Sequence, residues 1–338
     1  MQRRLLLIIS FLVLSLTIYS QNNIHYTQFY NSPMTLNPAL TGNYTEDLYR
    51  ISGIVRQQYS DLNSFKKSEY LYQTPSGSAE LSLFNNRLGV GLCFLNDQIY
   101  NNIFNSKRLY LSTAAHFPIK DNRLSFGIQG MINNGTIDGS KFQWAGVTEP
   151  LNESNTYFDL NAGVNYQHDF GWFMTDFGFS ASHLTQPTEK FLRNGPGSKV
   201  PMYYKAYVNF LDWELVDRIS IYPGFFGGWQ ASATNFVYGS NASYKLFNVA
   251  GAPTKVYAGL WLRSNQINLE SIIGLVGLGW GKTKVMFSYD YNTSFSKGGN
   301  SNYLSGRTNT FELSIVFLGK PNIKPPLLED NFILNPRF

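Results

Sequence analysis

Four histidines, His25, His116, His168 and His183, are the natural first candidates for chemistry, and no two of them stand at metal-ligand spacing. His183 lies close to Ser180 and Ser182, which is the raw material for a serine–histidine pair at the rim of a barrel. An interfacial histidine at a strand end fits better, because Gly178-Phe179-Ser180-Ala181-Ser182 lacks the second glycine of a nucleophile elbow and reads as strand. Cys93 is the sole cysteine, so neither an intrachain disulfide nor thiolate metal ligation is available. The run GLVGLGWG at 274–281 resembles a dinucleotide loop only superficially, since it sits inside an alternating strand with no helix after it. Glycines there suit a lumen face or packing under an aromatic girdle. The expectation is a chain with no catalytic, cofactor or metal site, and not an enzyme.

The elements that would carry any side chain are strands. In Lys282–Phe295, KTKVMFSYDYNTSF, Val285, Phe287, Tyr289 and Tyr291 fall on one side of an extended chain, and Met286, Ser288, Asp290 and Asn292 on the other. One face is apolar and aromatic, the other polar with a carboxylate. A soluble sandwich would bury the apolar face; an outer-membrane barrel would turn it to lipid and the polar face to the lumen. The alternation recurs near 46–59, 69–84, 87–98, 105–119, 122–137, 156–169, 172–184, 202–214, 217–231, 235–247, 254–264, 267–279, 282–295 and 307–318, and a helical period fits none of the clearest of these. Tight turns at Asn85-Asn86, Lys120–Asn122, Phe170-Gly171, Leu215-Val216 and Gly281 separate longer polar connections at 60–68, 99–104, 138–155, 185–201 and 296–306. Short and long alternate, with 248–253 longer and 265–266 shorter than the rule, which gathers nearly all the long loops at one end of an up-and-down barrel. Closure also removes the sticky edges that so large an open sheet would expose. The fold expected is an all-β, transmembrane, antiparallel up-and-down β-barrel of about 14 strands, twelve and sixteen being the neighbouring counts, spanning 45–318.

Composition agrees. Charged residues make up 14% of the chain and aromatics 16%, with 22 Tyr and 26 Phe, well below the charge of an ordinary soluble domain. Residues 1–20 read as a secretory signal, with Arg3 and Arg4 before the apolar Leu5–Ile18 and Ser20 at the cut. Losing both arginines takes the formal charge from +5 to +3, too little and too scattered for a nucleic-acid partner. Beyond the signal, the longest strongly apolar run is Ile272–Trp280, far short of the ~20 residues of a spanning helix. Asp159, Asp176, Glu270, Asp290 and Glu312 fall on predicted lumen faces with Lys245 and Arg263, as filler for a polar interior. After Leu318 the Pro-rich tail 319–338 loses alternation and fits a disordered periplasmic extension better than a docking segment.

Residues 21–44 form an irregular lead-in. Tyr26, Phe29, Tyr30, Met34 and Leu36 would be costly as a free tail in water, while Pro33 and Pro38 fix the direction of the chain. Asn37-Pro38 suits a turn that returns Ala39 and Leu40 against a surface. A lumen plug, a docking strip for a partner, and a short spacer left by signal cleavage all fit this segment. Its pattern, with Tyr26, Gln28, Phe29, Tyr30, Asn31, Leu36, Asn37, Pro38 and Gly42 as the candidate site, resembles the opening Q-x-x-x-N-x-x-x-x-N-P-A-x-x-G of the PorP/SprF family of Bacteroidetes outer-membrane proteins. Leu88-Gly-Val-Gly91 with Asn96-Asp97, Leu124-Ser-Phe-Gly127, and Tyr289-Asp290-Tyr291 with Thr293-Ser294 resemble further family motifs. Phe311-Glu312 departs from the family's His-Glu, and the tail after 318 is atypical. The resemblance implies an outer-membrane, lipid-embedded component of the type IX secretion and gliding machinery. Its partners would be periplasmic secretion components or a secreted surface adhesin. A passive transporter or porin is the competing reading.

Overall fold

The computed structural model describes residues 26–44, 48–60, 72–99, 102–138, 152–190, 197–248, 253–293 and 309–319. The signal, the tips of several long connections, including Asn194-Gly195, and the tail from 320 onward lie outside the described residues.

Among the described residues fifteen strands share one antiparallel sheet, and one of them, Trp213–Val216, is a short appendage on its neighbour. The other fourteen form the wall: β1 (Tyr49–Ser60), β2 (Tyr72–Leu83), β3 (Leu88–Ile99), β4 (Phe104–Ile119), β5 (Asn122–Asp138), β6 (Asn152–Asp169), β7 (Met174–Ser182), β8 (Tyr203–Leu211), β9 (Ile219–Gln230), β10 (Ala233–Lys245), β11 (Thr254–Ser264), β12 (Leu269–Trp280), β13 (Thr283–Asn292) and β14 (Asn309–Gly319). Each pairs with its chain neighbours, and β1 pairs with β14, so the sheet closes with no free edge. Across that closing seam Arg56 faces Glu312.

The fourteen expected strands coincide with these. One turn is displaced: Leu215-Val216 lies in the appended strand, which pairs back on Ile219–Ile221, and the chain reverses at Asp217-Arg218. At the end carrying 61–71, 139–151, 183–202 and 293–308, β9 and β10 are nevertheless joined by the two-residue turn at 231–232. At the opposite end, 84–87, 120–121, 170–173 and 281–282 are short. These ends are called the long-loop and short-turn mouths below.

The pleat sorts the side chains as the alternation dictates. Outward residues form an apolar belt, with Phe158 72%, Leu111 68% and Ile128 65% exposed, far beyond what a soluble surface carries. On β13, Phe287 is exposed, while Met286, Ser288 and Asp290 are buried inward. Asp159, Asp176, Asp290, Glu312 and Arg263 are buried inside as expected. Two expected lumen charges are not part of that interior: Lys245 is exposed at the last position of β10, and Glu270 sits beside a register shift at the start of β12, bonded by Asn265.

Candidate functional site

The lead-in lies buried against the inner face of the wall. Its sequence breaks any strand or helix period, so it folds as three single turns: Phe29–Asn31 (3₁₀), Pro33–Leu36 (α) and Pro38–Leu40 (3₁₀). Pro33 and Pro38 open their turns, where a missing N–H costs nothing. Asn37 caps the last turn, its Oδ1 accepting from the Ala39 N–H at 2.9 Å. Tyr26, Gln28, Phe29, Asn31, Leu36, Asn37, Pro38 and Gly42 are all buried, and Tyr30 nearly so. The structure therefore brings every expected site residue into one place.

At the long-loop side the lead-in meets charge. The two carboxylate oxygens of Glu312 accept the backbone N–H groups of Thr27 (2.9 Å) and Gln28 (2.6 Å). Arg56 bridges the same carboxylate (3.0 Å) and Asp290 (3.0 Å), and Arg263 approaches Asp290 at 3.4 Å. The Thr27 hydroxyl sits among them, donating to Asp290 (2.8 Å) and accepting from Arg56 (2.7 Å) and Arg263 (2.6 Å). Two cations and two anions, all buried, are thus tied together through the lead-in's own peptide groups and hydroxyl. The Gln28 amide donates to Ser288 and accepts from Ser314 at 2.5 Å, and Asn31 donates to Ser314 at 2.9 Å. Tyr26 donates to the Ser76 hydroxyl at 2.8 Å. Burial pushes the phenols of Tyr26 and Tyr30 up, so both keep their protons.

In mid-lumen Phe29 packs edge-on to Trp261 and tilted on Phe226, with ring centroids 5.8 and 5.4 Å away. Asn241 donates to the Tyr30 hydroxyl at 2.9 Å, while its own Oδ1 accepts the Trp261 indole N–H at 2.8 Å.

Toward the short-turn mouth the contacts change kind. A Cβ on Gly89 would lie 1.8 Å from the Thr41 carbonyl oxygen, one on Gly127 2.2 Å from the Pro38 carbonyl carbon, and one on Gly163 1.9 Å from Asn37 Oδ1. A Cβ on Gly91 would strike Met34 at 2.8 Å. Gly42 itself takes φ +65, pressed on Leu81 and Gly89, a position only glycine fills without strain. Side chains of the wall then hold the lead-in's backbone: Gln129 to the Met34 carbonyl (3.1 Å), Lys205 to Thr35 (2.7 Å) and Ser180 to Leu36 (2.8 Å). His116 bridges the Thr41 carbonyl (3.0 Å) and Ser125 (2.8 Å), and Glu80 accepts from the Gly42 N–H (2.9 Å) while paired with Arg50 (2.7 Å). Through these contacts the lead-in touches strands β1 to β11, β13 and β14.

Sequence reading misses Thr27, Arg56 and His116 as members of this site. Alternation puts Arg56 and Glu312 on inward faces, but their pairing depends on the seam register, which no local pattern encodes. His183 is buried rather than interfacial, its Nδ1 bonded to Asp159 at 2.5 Å. Among the described residues no group of His, Cys, Asp and Glu could hold a metal ion.

Comparison with known proteins gives one decisive match. The model of the family "Type IX secretion system membrane protein PorP/SprF" matches residues 18–317. No curated protein matches the chain. Solved structures with a similar outline include the Ralstonia pickettii toluene transporter TbuX (11% identity, TM-score 0.49, 85% of this chain and 92% of that one). A Pseudomonas aeruginosa FadL homologue stands alongside it (12% identity, TM-score 0.49, 83% and 92%). Likenesses at this level carry no weight for function; the barrel rests on its own strand pairing. With the family matched over nearly the whole described barrel and its lead-in, the chain belongs to the PorP/SprF family of type IX secretion system membrane proteins.

Proposed function

We propose that this outer-membrane barrel is a plugged scaffold of the type IX machinery, supporting the secretion or surface anchoring of a partner protein, with Tyr26–Gly42 as its resident plug. The observation that carries the reading is the number of wall strands held by one short segment, from Glu312 on β14 to Gly163 on β6. A spacer left by signal cleavage has no use for a buried ion cluster and four wall glycines shaped to it. A passive porin needs a continuous water path, and a lead-in bonded to wall strands around the barrel supports a plugged lumen over an open one. The long loops would then face outward and the short-turn mouth inward, toward periplasmic components of the machinery.

The test is a strain lacking 24–42 but keeping the signal, scored for surface display of the secreted adhesins. Heat-modifiable gel mobility in the same membranes reports whether the barrel has folded. A folded barrel with display lost is the expected result. A folded barrel with full display would remove the lead-in from the secretion role and favour the porin.

A further inference from the structure

On the short-turn side of the lead-in a cavity of about 430 Å³ opens between it and the wall. Among the described residues Arg50, Lys255, Lys282 and Lys284 line it together with the carboxylate of Asp212. Asp212 lies 3.6 Å from Lys255 and Arg50 pairs with Glu80, while Lys284, on an inward position of β13, has its Nζ 5.7 Å from the centre of the Tyr30 ring. Tyr30, Tyr222 and Tyr257 give the same cavity aromatic walls. The Lys284 ammonium among tyrosine faces is chemistry for a carboxylate flanked by apolar groups.

The chain itself carries such a segment. Leu318 lines the cavity and Gly319 ends β14 at this mouth, so residues 320–338 set out from the cavity's edge. Within them Leu327-Leu328-Glu329-Asp330-Asn331-Phe332 places two adjacent carboxylates between leucines and a phenylalanine. The stretch from Gly319 to Glu329 can reach on the order of 30 Å, ample for a cavity that begins at the preceding residue. We propose that the Leu327–Phe332 segment of the tail docks in this cavity, with Glu329 and Asp330 facing Lys284 and Lys255. The proposal goes beyond the scaffold reading and does not rest on it.

The experiment is zero-length carbodiimide coupling of the full chain, purified folded from outer membranes, followed by peptide mapping. A link from Glu329 or Asp330 to Lys284 or Lys255 within one chain is expected. It should fall at least tenfold in the Glu329→Gln, Asp330→Asn variant and in the Lys255→Gln, Lys284→Gln variant, both with unchanged heat-modifiable mobility. Coupling of these carboxylates to another protein would overturn the proposal in favour of a partner as occupant. Absence of any intrachain link in a folded sample would overturn it outright. Either failure leaves the secretion assay, and the scaffold reading with it, untouched.

Discussion

The lead-in is held differently at its two ends. From Tyr26 to Asn31 it is bound by charge and side-chain hydrogen bonds: Glu312 chelates two peptide N–H groups, and Arg56, Arg263 and Asp290 converge on one threonine hydroxyl. From Met34 to Gly42 it is bound chiefly by shape, with wall glycines leaving room for its path and wall side chains reaching its backbone from Met34 to Gly42 and the side chains of Asn37 and Thr41. The first kind of hold depends on a balance of charges and can be undone by changing one group. The second depends chiefly on volume, with Lys205 and the Arg50–Glu80 pair adding charged contacts to its backbone. The end held by shape is also the one that leads into the wall at β1.

The largest expected effect is at the ionic end. Glu312→Gln leaves two buried arginines with one carboxylate, and breaking a buried pair this way costs about 3–5 kcal/mol. The urea midpoint of the refolded barrel should drop accordingly, and protease should reach the lead-in near Tyr26 first. An unchanged midpoint would mean that the cluster is not coupled to folding. The wall's outer face gives the next contrast: Phe287→Arg places a charge in lipid at about 2–4 kcal/mol and should impair assembly well before Ser288→Arg does. Equal tolerance would break the register of β13.

At the shaped end, Gly127→Val drives a side chain into Pro38, and overpacking of this kind costs about 1–3 kcal/mol or more. Gly130 on the same strand has nothing within 4 Å of a Cβ, so Gly130→Val should assemble normally. If both variants behave alike, the glycine cradle is not what seats the lead-in. The smallest effect belongs to Tyr30→Phe, which forfeits the hydrogen bond from Asn241 for about 1 kcal/mol in the same unfolding assay while keeping the aromatic packing. A loss as large as that of Glu312→Gln would shift the weight of the site from the ion cluster to mid-lumen.

How much of this is legible in the sequence follows from the same contrast. Strand period is local, so Phe287 and Ser288 declare their faces without any knowledge of the rest of the chain, and the strands can be placed in order. The lead-in's aromatics and prolines announce a bound segment, and its motif announces a family. What sequence cannot supply is anything set by closure. Arg56 and Glu312 meet because β1 pairs with β14 in one particular register, at a separation of 256 residues. Gly89, Gly127 and Gly163 are spaced for no local reason; they matter because a distant segment crosses them. In the sequence Gly89, Gly91 and Gly127 stand out only as parts of family motifs, and the packing of Met34, Pro38 and Thr41 gives those motifs a physical cause.

The central claim is that Tyr26–Gly42 occupies the lumen of the assembled barrel. Asn31 and Ser314 have side chains 2.9 Å apart across it, and the native Cys93 is buried elsewhere on β3. In the Asn31→Cys, Ser314→Cys variant, mild oxidation of outer membranes should join the two introduced thiols, protecting both from maleimide until a reductant is added. Free labelling of both introduced thiols in a folded barrel under the same oxidation would place the lead-in outside the lumen and contradict the account.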